Sequence, residues 1–168
     1  NVSGVGVSIV MEGNRPIPVE IQSLVVSSSL PVPRRVTSGL DPQRTIMVST
    51  VAEKHAKVAL SNSDVYVSSM GGIKIKDTGV DVATIISLAS SKWGYAIPSD
   101  IVGIGEVSLT GEIRKVPYVE RRLEEAHRLG FSIAIISDKV DESKLKKVRD
   151  KNLTIVKVKN VLQLVSFI

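Results

Sequence analysis

Two segments near the N terminus alternate apolar and polar residues and are rich in β-branched side chains. They are Val5 to Met11 and Pro18 to Val26, and the polar residues 12–16 between them include a glycine and a proline. This alternation predicts two strands joined by a turn, so we expect the chain to begin with a β-hairpin. Further apolar, β-branched runs predict strands at Val65 to Ser69, Ile101 to Ser108, Ser132 to Ser137 and Thr154 to Lys159.

Helices are predicted between these strands. Asp41 followed by Pro42 is a typical helix start, because aspartate accepts hydrogen bonds from free N–H groups and proline suits the first helical position. Apolar residues at helical spacing continue this helix to about Ala59. The other predicted helices are Val80 to Ser90, Pro117 to Leu129, Glu142 to Arg149 and Val161 to Phe167. Helices and strands in 168 residues predict one domain of mixed α and β (α+β) class over residues 1–168.

Composition narrows the chemistry that the chain can support. It has no cysteine and only two histidines, which lie far apart, so we expect neither a disulfide nor a metal site. No apolar run approaches the ~20 residues that a membrane helix needs, and no leader segment is recognisable, which favours a cytoplasmic protein. The net charge of +5 favours a polyanionic partner.

The most informative motif is Gly105-Glu106-Val107-Ser108-Leu109-Thr110-Gly111-Glu112-Ile113-Arg114. It resembles a segment of the proteolytic domain of Lon proteases, which cleave peptides with a serine nucleophile and a lysine base. In the Lon pattern the serine lies 26 residues before the first glycine of the motif and the lysine 17 residues after it. Those positions hold Gly79 and Arg122 in this chain.

Neither residue can perform the chemistry of a serine-lysine dyad. Gly79 has no hydroxyl group, and the guanidinium of Arg122 stays protonated under all ordinary conditions, so it cannot act as a base. We therefore expect these positions to be vestigial. An alternative is a hydrolase with a relocated nucleophile, for which Thr78 is the nearest hydroxyl and Lys76 or Lys115 the nearest base.

Four blocks of sequence resemble the degenerate Lon-like domain at the C terminus of the RadA/Sms family of bacterial DNA repair ATPases. They lie within Arg15 to Val25, Pro33 to Arg44, Gly71 to Ala83 and Gly105 to Arg114. The resemblance covers residues from about Ser8 to Ile136. It implies a Lon-like fold in which helices flank a mixed sheet.

The resemblance also implies a function. A domain of this family is expected to bind DNA and to serve as a scaffold in a hexameric ring that drives ATP-dependent branch migration during recombination and repair. ATP, Mg²⁺ and zinc would belong to other domains of such a protein, so we expect no cofactor in this chain. A RecA-type recombinase is a further expected partner, and association with the bacterial nucleoid follows from these roles.

Five cations are candidates for sequence-independent contact with DNA phosphates by this resemblance: Lys74, Arg114, Arg34, Arg35 and Arg44. Lys74 and Arg114 each precede one of the vestigial positions and are expected to lie on one surface. Arg34 and Arg35 end a loop of serines and prolines over residues 27–35, which suits either a contact element or a solvated connection.

Ion pairing is the alternative to DNA contact for several of these cations. Lys74 and Arg114 have possible partners in Asp77, Asp81 and Glu112. We expect Arg122 to pair with a carboxylate in the former catalytic cleft, namely Glu20 or Asp81. The basic residues of 144–151 have acidic neighbours, as is typical of the solvated face of a short helix.

Overall fold

Four strands form a mixed sheet in the computed structural model, which describes residues 1–168. They are β1 (Val5–Glu12), β2 (Arg15–Ser27), β3 (Arg35–Ser38) and β4 (Ser63–Ser69), in the order β1-β2-β4-β3. β1 and β2 form the predicted hairpin, β2 and β4 are antiparallel, and β3 is parallel to β4. The mixed sheet and the α+β class expected from the sequence are confirmed.

Two helices pack on one face of this sheet. The first is α1 (Pro42–Ala56), and the carboxylate of Asp41 accepts hydrogen bonds from the backbone at its start, as predicted. α1 ends before the predicted Ala59, because Lys57 adopts a left-handed conformation with φ 60°. The second helix is α2 (Asp81–Trp93), which is buried from its first residue to Ser90.

The second half of the chain adds five short strands and three helices. The strands are β5 (Ile101–Ile104), β6 (Glu106–Val107), β7 (Ile113–Arg114), β8 (Ile133–Ser137) and β9 (Thr154–Val158). β5, β8 and β9 form a parallel sheet in that order, and β6 pairs with β7 as a small hairpin. The helices are α3 (Val119–Arg128), α4 (Lys146–Arg149) and α5 (Val161–Phe167). No helix has both the length and the apolar character that crossing a membrane requires.

β1 lies between two hydrophobic clusters, because successive side chains of a strand point to opposite faces. Val10 belongs to the cluster that contains the buried residues of α1, α2 and α5. Its neighbour Ile9 belongs to a second cluster with buried residues of α3 and with alternate residues of β5 and β8, namely Val102, Ile104, Ala134 and Ile136. The hairpin that opens the chain therefore holds both halves of the domain together.

Several predicted boundaries were wrong. The expected strand from Ile101 to Ser108 is interrupted at Gly105, after which β6 leaves the parallel sheet to pair with β7. No strand was predicted at β3, because only four residues form it and prolines precede it. The expected helix from Glu142 to Arg149 is divided into a 3-10 turn at Glu142–Lys144 and the single turn of α4.

α2 approaches the hairpin unusually closely. A methyl group built on Gly6 of β1 would lie 2.2 Å from the backbone oxygen of Ala83, which is far inside van der Waals contact. On β2, the hydroxyl of Ser23 lies 2.6 Å from that of Ser87 and forms a hydrogen bond with it. Small residues on both surfaces are therefore required for this packing.

Gly6→Ala is expected to destabilise the fold, because the helix or the strand must move to admit the methyl group. The free energy of unfolding, measured by urea titration, should fall by roughly 2–3 kcal/mol. Gly13→Asn is the control. Gly13 sits in the hairpin turn with φ 62° and open space around it, and asparagine tolerates that conformation. Equal losses in the two variants would contradict the packing argument.

Candidate functional site

The two vestigial catalytic positions are adjacent in space. Gly79 lies in a buried 3-10 turn, Thr78–Val80, that leads directly into α2. Arg122 lies in the first turn of α3, and only 2% of its side chain is exposed. A methyl group built on Gly79 would lie 2.5 Å from Nη1 of Arg122. The sequence spacing therefore correctly predicts that these residues meet.

A buried ion pair occupies this position. Nη1 of Arg122 lies 2.8 Å from the carboxylate of Asp77, and its guanidinium also donates to the backbone oxygens of Pro117 and Ile9. The same carboxylate accepts hydrogen bonds from the backbone of Gly79 and Met11. These bonds matter, because a buried charge without full hydrogen bonding costs several kcal/mol.

The partner of Arg122 differs from the two that the sequence suggested. Asp81 is bound to Arg44 instead, and Glu20 accepts a hydrogen bond from the side chain of Gln22. Asp77 is well placed because it caps the turn at Gly79. The signal in the sequence is an aspartate two residues before Gly79, a spacing typical of a cap rather than of an ion pair.

A serine side chain at position 79 does not fit beside Arg122 in the conformation that Arg122 adopts. The β-carbon would be 2.5 Å from the guanidinium and 3.0 Å from Oδ1 of Asp77. The neighbouring hydroxyl of Thr78 makes no hydrogen bond, and Lys76 and Lys115 make no salt bridge. No ion pair therefore fixes either lysine in position as a base for Thr78.

A second arginine-carboxylate network lies near the start of α2. Nε of Arg44 lies 3.0 Å from Oδ1 of Asp81, and Nη2 lies 3.3 Å from Glu106. Oδ2 of Asp81 also accepts the N–H of Val107 at 2.9 Å. Burial raises the pKa of Asp81 above its ordinary value, although Arg44 opposes the shift. The network links α1, α2 and β6, and it occupies Nε and Nη2 of Arg44.

Two clefts meet at Arg44. The first has a volume of about 460 Å³ and is lined by the starts of α1 and α2 together with Lys74 and Lys76. The second has a volume of about 310 Å³ and is lined by the β6–β7 hairpin, including Arg114. Arg44 is the residue that lines both clefts, and the expectation that Lys74 and Arg114 lie on one surface stays a prediction.

Lys74, Lys76 and Arg114 are exposed, and none of them forms a salt bridge. The ion-pairing alternative is therefore not observed for Lys74 or Arg114. Asp77 and Asp81, which were their possible partners, are bound to Arg122 and Arg44. The sequence singled out Lys76 only as a possible base, whereas the structure places it in the same cleft as Lys74.

Known proteins resemble most of this chain. It is 39% identical to DNA repair protein RadA of Mycobacterium tuberculosis over 135 residues, which is 80% of this chain and 28% of the relative. It is 42% identical to the protein of that name from Salmonella typhimurium and 41% identical to the one from Escherichia coli, each over 134 residues, 80% of this chain and 29% of the relative. The chain belongs to the RadA/Sms family. It corresponds to a C-terminal domain of that family and spans less than a third of the length of these relatives. No protein-family profile matches it.

The other candidates from the RadA resemblance lie apart from the clefts. The side chain of Arg35 donates hydrogen bonds to the backbone oxygens of Ser63 and Leu60, beyond the C-terminal end of α1. Arg44 lies near the opposite end of this helix of 15 residues, a length of roughly 22 Å. Arg34 precedes Arg35 and is exposed. The structure therefore does not bring Arg34 and Arg35 together with the other three cations.

Half of the basic residues in 131–168 form salt bridges. Lys144 and Lys147 form salt bridges with Glu120 and Glu124 of α3. Arg149 and Lys157 both bind Glu142, and their hydrogen bonds lower the pKa of Glu142 to about 2. This agrees with the solvated-face interpretation of residues 144–151. Lys146 is exposed and forms no salt bridge.

A double-mutant cycle tests whether Arg122 occupies the space of the missing serine side chain. Gly79→Ser alone should lower the free energy of unfolding by about 1–3 kcal/mol, because the new side chain meets the guanidinium. Arg122→Lys should leave more room, so the double variant should be more stable than the sum of the single changes predicts, by at least ~1 kcal/mol. Urea titration of the four proteins measures this coupling.

Arg121→Lys provides the matched control for this cycle, because Arg121 is exposed on the same helix and forms no salt bridge. Its effect should add to that of Gly79→Ser within about 0.5 kcal/mol. If the effects of Gly79→Ser and Arg122→Lys on the free energy of unfolding also add, the side chains at the two vestigial positions do not compete for space.

Proposed function

We propose that this chain is a non-proteolytic module that binds the DNA backbone within a RadA-type protein acting in homologous recombination and DNA repair. The observation that carries the proposal is the group of unpaired cations Lys74, Lys76 and Arg114 around two clefts that meet at Arg44. The names of the relatives, DNA repair proteins, support the biological role.

Electrostatics favour phosphate at this surface. The first cleft is also lined by Asp77 and Asp81, which would repel phosphate if they were free. Each of them is bound to an arginine and neither is bound to a lysine, which leaves Lys74 and Lys76 available to an external anion. Aromatic residues make up only 4% of the chain, which argues against binding that depends on aromatic stacking. Contact with phosphates alone carries little sequence information.

Arg44 has a different role from Lys74 and Arg114 in this proposal. Two carboxylates bind its Nε and Nη2 atoms, which leaves Nη1 as its remaining group for a phosphate. Arg34 and Arg35 have no role in this interface because they lie near the other end of α1. A separate contact by the loop that contains them remains a prediction from the sequence.

Assembly into a ring is a further part of the proposal. Leu24 of β2 and Val36 of β3 both stand opposite Tyr66 of β4, and 54% of Leu24 and 47% of Val36 are exposed. An apolar row of this kind across a sheet suits contact with another protein surface. We propose that it supports self-association, that the whole protein forms a hexamer with ATP-dependent branch-migration activity, and that a RecA-type recombinase is a partner.

The proposal predicts that this chain hydrolyses neither peptides nor ATP. Gly79 and Arg122 stand at the positions of the nucleophile and the base, Arg122 is paired with Asp77, and the neighbouring Thr78 has no base bound to it. A covalent probe for serine and threonine hydrolases should therefore leave Thr78 unlabelled. Stoichiometric labelling at Thr78 that is lost in Thr78→Val would favour a hydrolase with a relocated nucleophile instead.

Lys74→Ala and Arg114→Ala are expected to weaken DNA binding to a similar degree for any sequence. If each side chain holds one phosphate, each change should lower the slope of log affinity against log salt concentration by about 1. Fluorescence anisotropy with labelled oligonucleotides over a range of salt measures this. The melting temperature should stay nearly constant, because the effect of exposed substitutions on stability is within about 0.5 kcal/mol.

Lys146→Ala is the control, because Lys146 is an exposed, unpaired lysine on α4. It should reduce affinity less than either change at the clefts. A larger loss for Lys146→Ala would place the DNA on the C-terminal basic residues. If the melting temperature falls for Lys74→Ala or Arg114→Ala while DNA binding does not change, these side chains support the fold rather than DNA.

A further inference from the structure

Arg44 binds two carboxylates, and it binds them in different ways. Asp81 accepts hydrogen bonds from both Nε and Nη2, and only 3% of its side chain is exposed. Glu106 contacts Nη2 alone, at 3.3 Å, and 34% of its side chain is exposed. Because a hydrogen bond between charged groups is normally about 2.7–2.9 Å long, the contact with Glu106 is the weaker one, and an external anion can displace it.

The outer edge of the same guanidinium, formed by Nη1 and Nη2, is only half occupied. Nη1 makes no hydrogen bond within the protein. Asp81 takes the N–H of Nη2 on the side of Nε, so Glu106 receives the other N–H of Nη2. Arginine uses Nη1 and Nη2 as a fork to bind a phosphate through two parallel hydrogen bonds. Glu106 therefore holds one of the two positions that a phosphate would need.

Arg114 is the second cation beside Glu106. The two residues stand directly opposite each other in the β6–β7 hairpin, so their side chains lie on one face and their β-carbons are roughly 5 Å apart. Arg114 forms no salt bridge with Glu106 or with any other carboxylate. Both residues line the second cleft together with Arg44. The second cleft thus contains one carboxylate and two arginines that could share a phosphate.

We infer that Glu106 occupies the position of a DNA phosphate in the free protein, and that a phosphate must displace it to bind Arg44 and Arg114 together. This inference rests on the proposed function. Asp81 already balances the charge of Arg44, so Glu106 adds a surplus negative charge that opposes an approaching phosphate. Glu106 therefore lowers the affinity of the second cleft for DNA while making no contact with DNA itself.

Glu106→Gln tests this inference, because glutamine has the size of glutamate without its charge. The affinity for a labelled DNA duplex, measured by fluorescence anisotropy at low salt, should rise by about three- to fivefold. Glu106→Asp keeps the charge on a side chain that is one methylene shorter and reaches Arg44 less well, so it should raise the affinity by a smaller factor. If Glu106→Gln does not fold, an unchanged affinity in Glu106→Asp contradicts the inference.

Glu112→Gln is the matched control. Glu112 directly precedes β7, is exposed, forms no salt bridge and lines neither cleft. Its replacement removes the same charge from the same hairpin without freeing Arg44, so the affinity should change by less than about twofold, since salt screens exposed charges. An equal gain from Glu112→Gln would mean that only the net charge matters, and the inference would be overturned.

Combining Glu106→Gln with each cation variant identifies the cleft in which the displacement occurs. The gain should persist in the Lys74→Ala background, because Lys74 lines only the first cleft. It should become smaller in the Arg114→Ala background, because Arg114 would bind the same phosphate and the two effects are coupled. Equal gains in the two backgrounds would contradict a phosphate shared by Arg44 and Arg114.

The outcomes separate this inference from the proposed function. If Lys74→Ala and Arg114→Ala weaken DNA binding while Glu106→Gln leaves the affinity unchanged or lowers it, the DNA-binding surface stands and the competing role of Glu106 is wrong. If neither the unmodified chain nor the Glu106→Gln variant binds DNA, both the proposed function and this inference are wrong.

Discussion

The buried ion pair between Asp77 and Arg122 is the interaction on which the rest of the arrangement depends. Its hydrogen bonds join three parts of the chain: the β1 strand through Ile9 and Met11, the turn at Gly79, and the start of α3. A buried charge that loses its partner typically costs 3–5 kcal/mol, so none of these parts can move away independently. The two hydrophobic clusters meet along β1, and this ion pair binds two backbone groups of that strand.

The second arginine-carboxylate network complements the first. Arg44 neutralises Asp81 at the start of α2, just as Arg122 neutralises Asp77 before it. Two buried or partly buried arginines therefore bind the acidic groups of this region, and the exposed lysines and Arg114 around them are left without partners.

Much of this arrangement could be predicted from the sequence where a pattern has a single local cause. The opening hairpin follows from alternation of side chains, the start of α1 from Asp41 and Pro42, and the meeting of Gly79 and Arg122 from spacing shared with a known family.

The sequence could not indicate β3, because four residues after a proline-rich loop become a strand only by pairing with β4. The choice of Asp77 over Glu20 or Asp81 also depends on tertiary contacts, since all three carboxylates occur at plausible positions along the chain. The distance of Arg34 and Arg35 from Arg44 could not be predicted either, because it follows from the length of α1 in the folded chain.

The space between Gly79 and Arg122 also has an evolutionary consequence. A serine introduced at position 79 would meet the guanidinium that fills its place, so a gene encoding this domain cannot regain the nucleophile by one substitution without first weakening the fold. Regaining it would require the arginine to change beforehand or at the same time, and the arginine is itself bound to a buried carboxylate. Selection for stability alone therefore opposes a serine at this position.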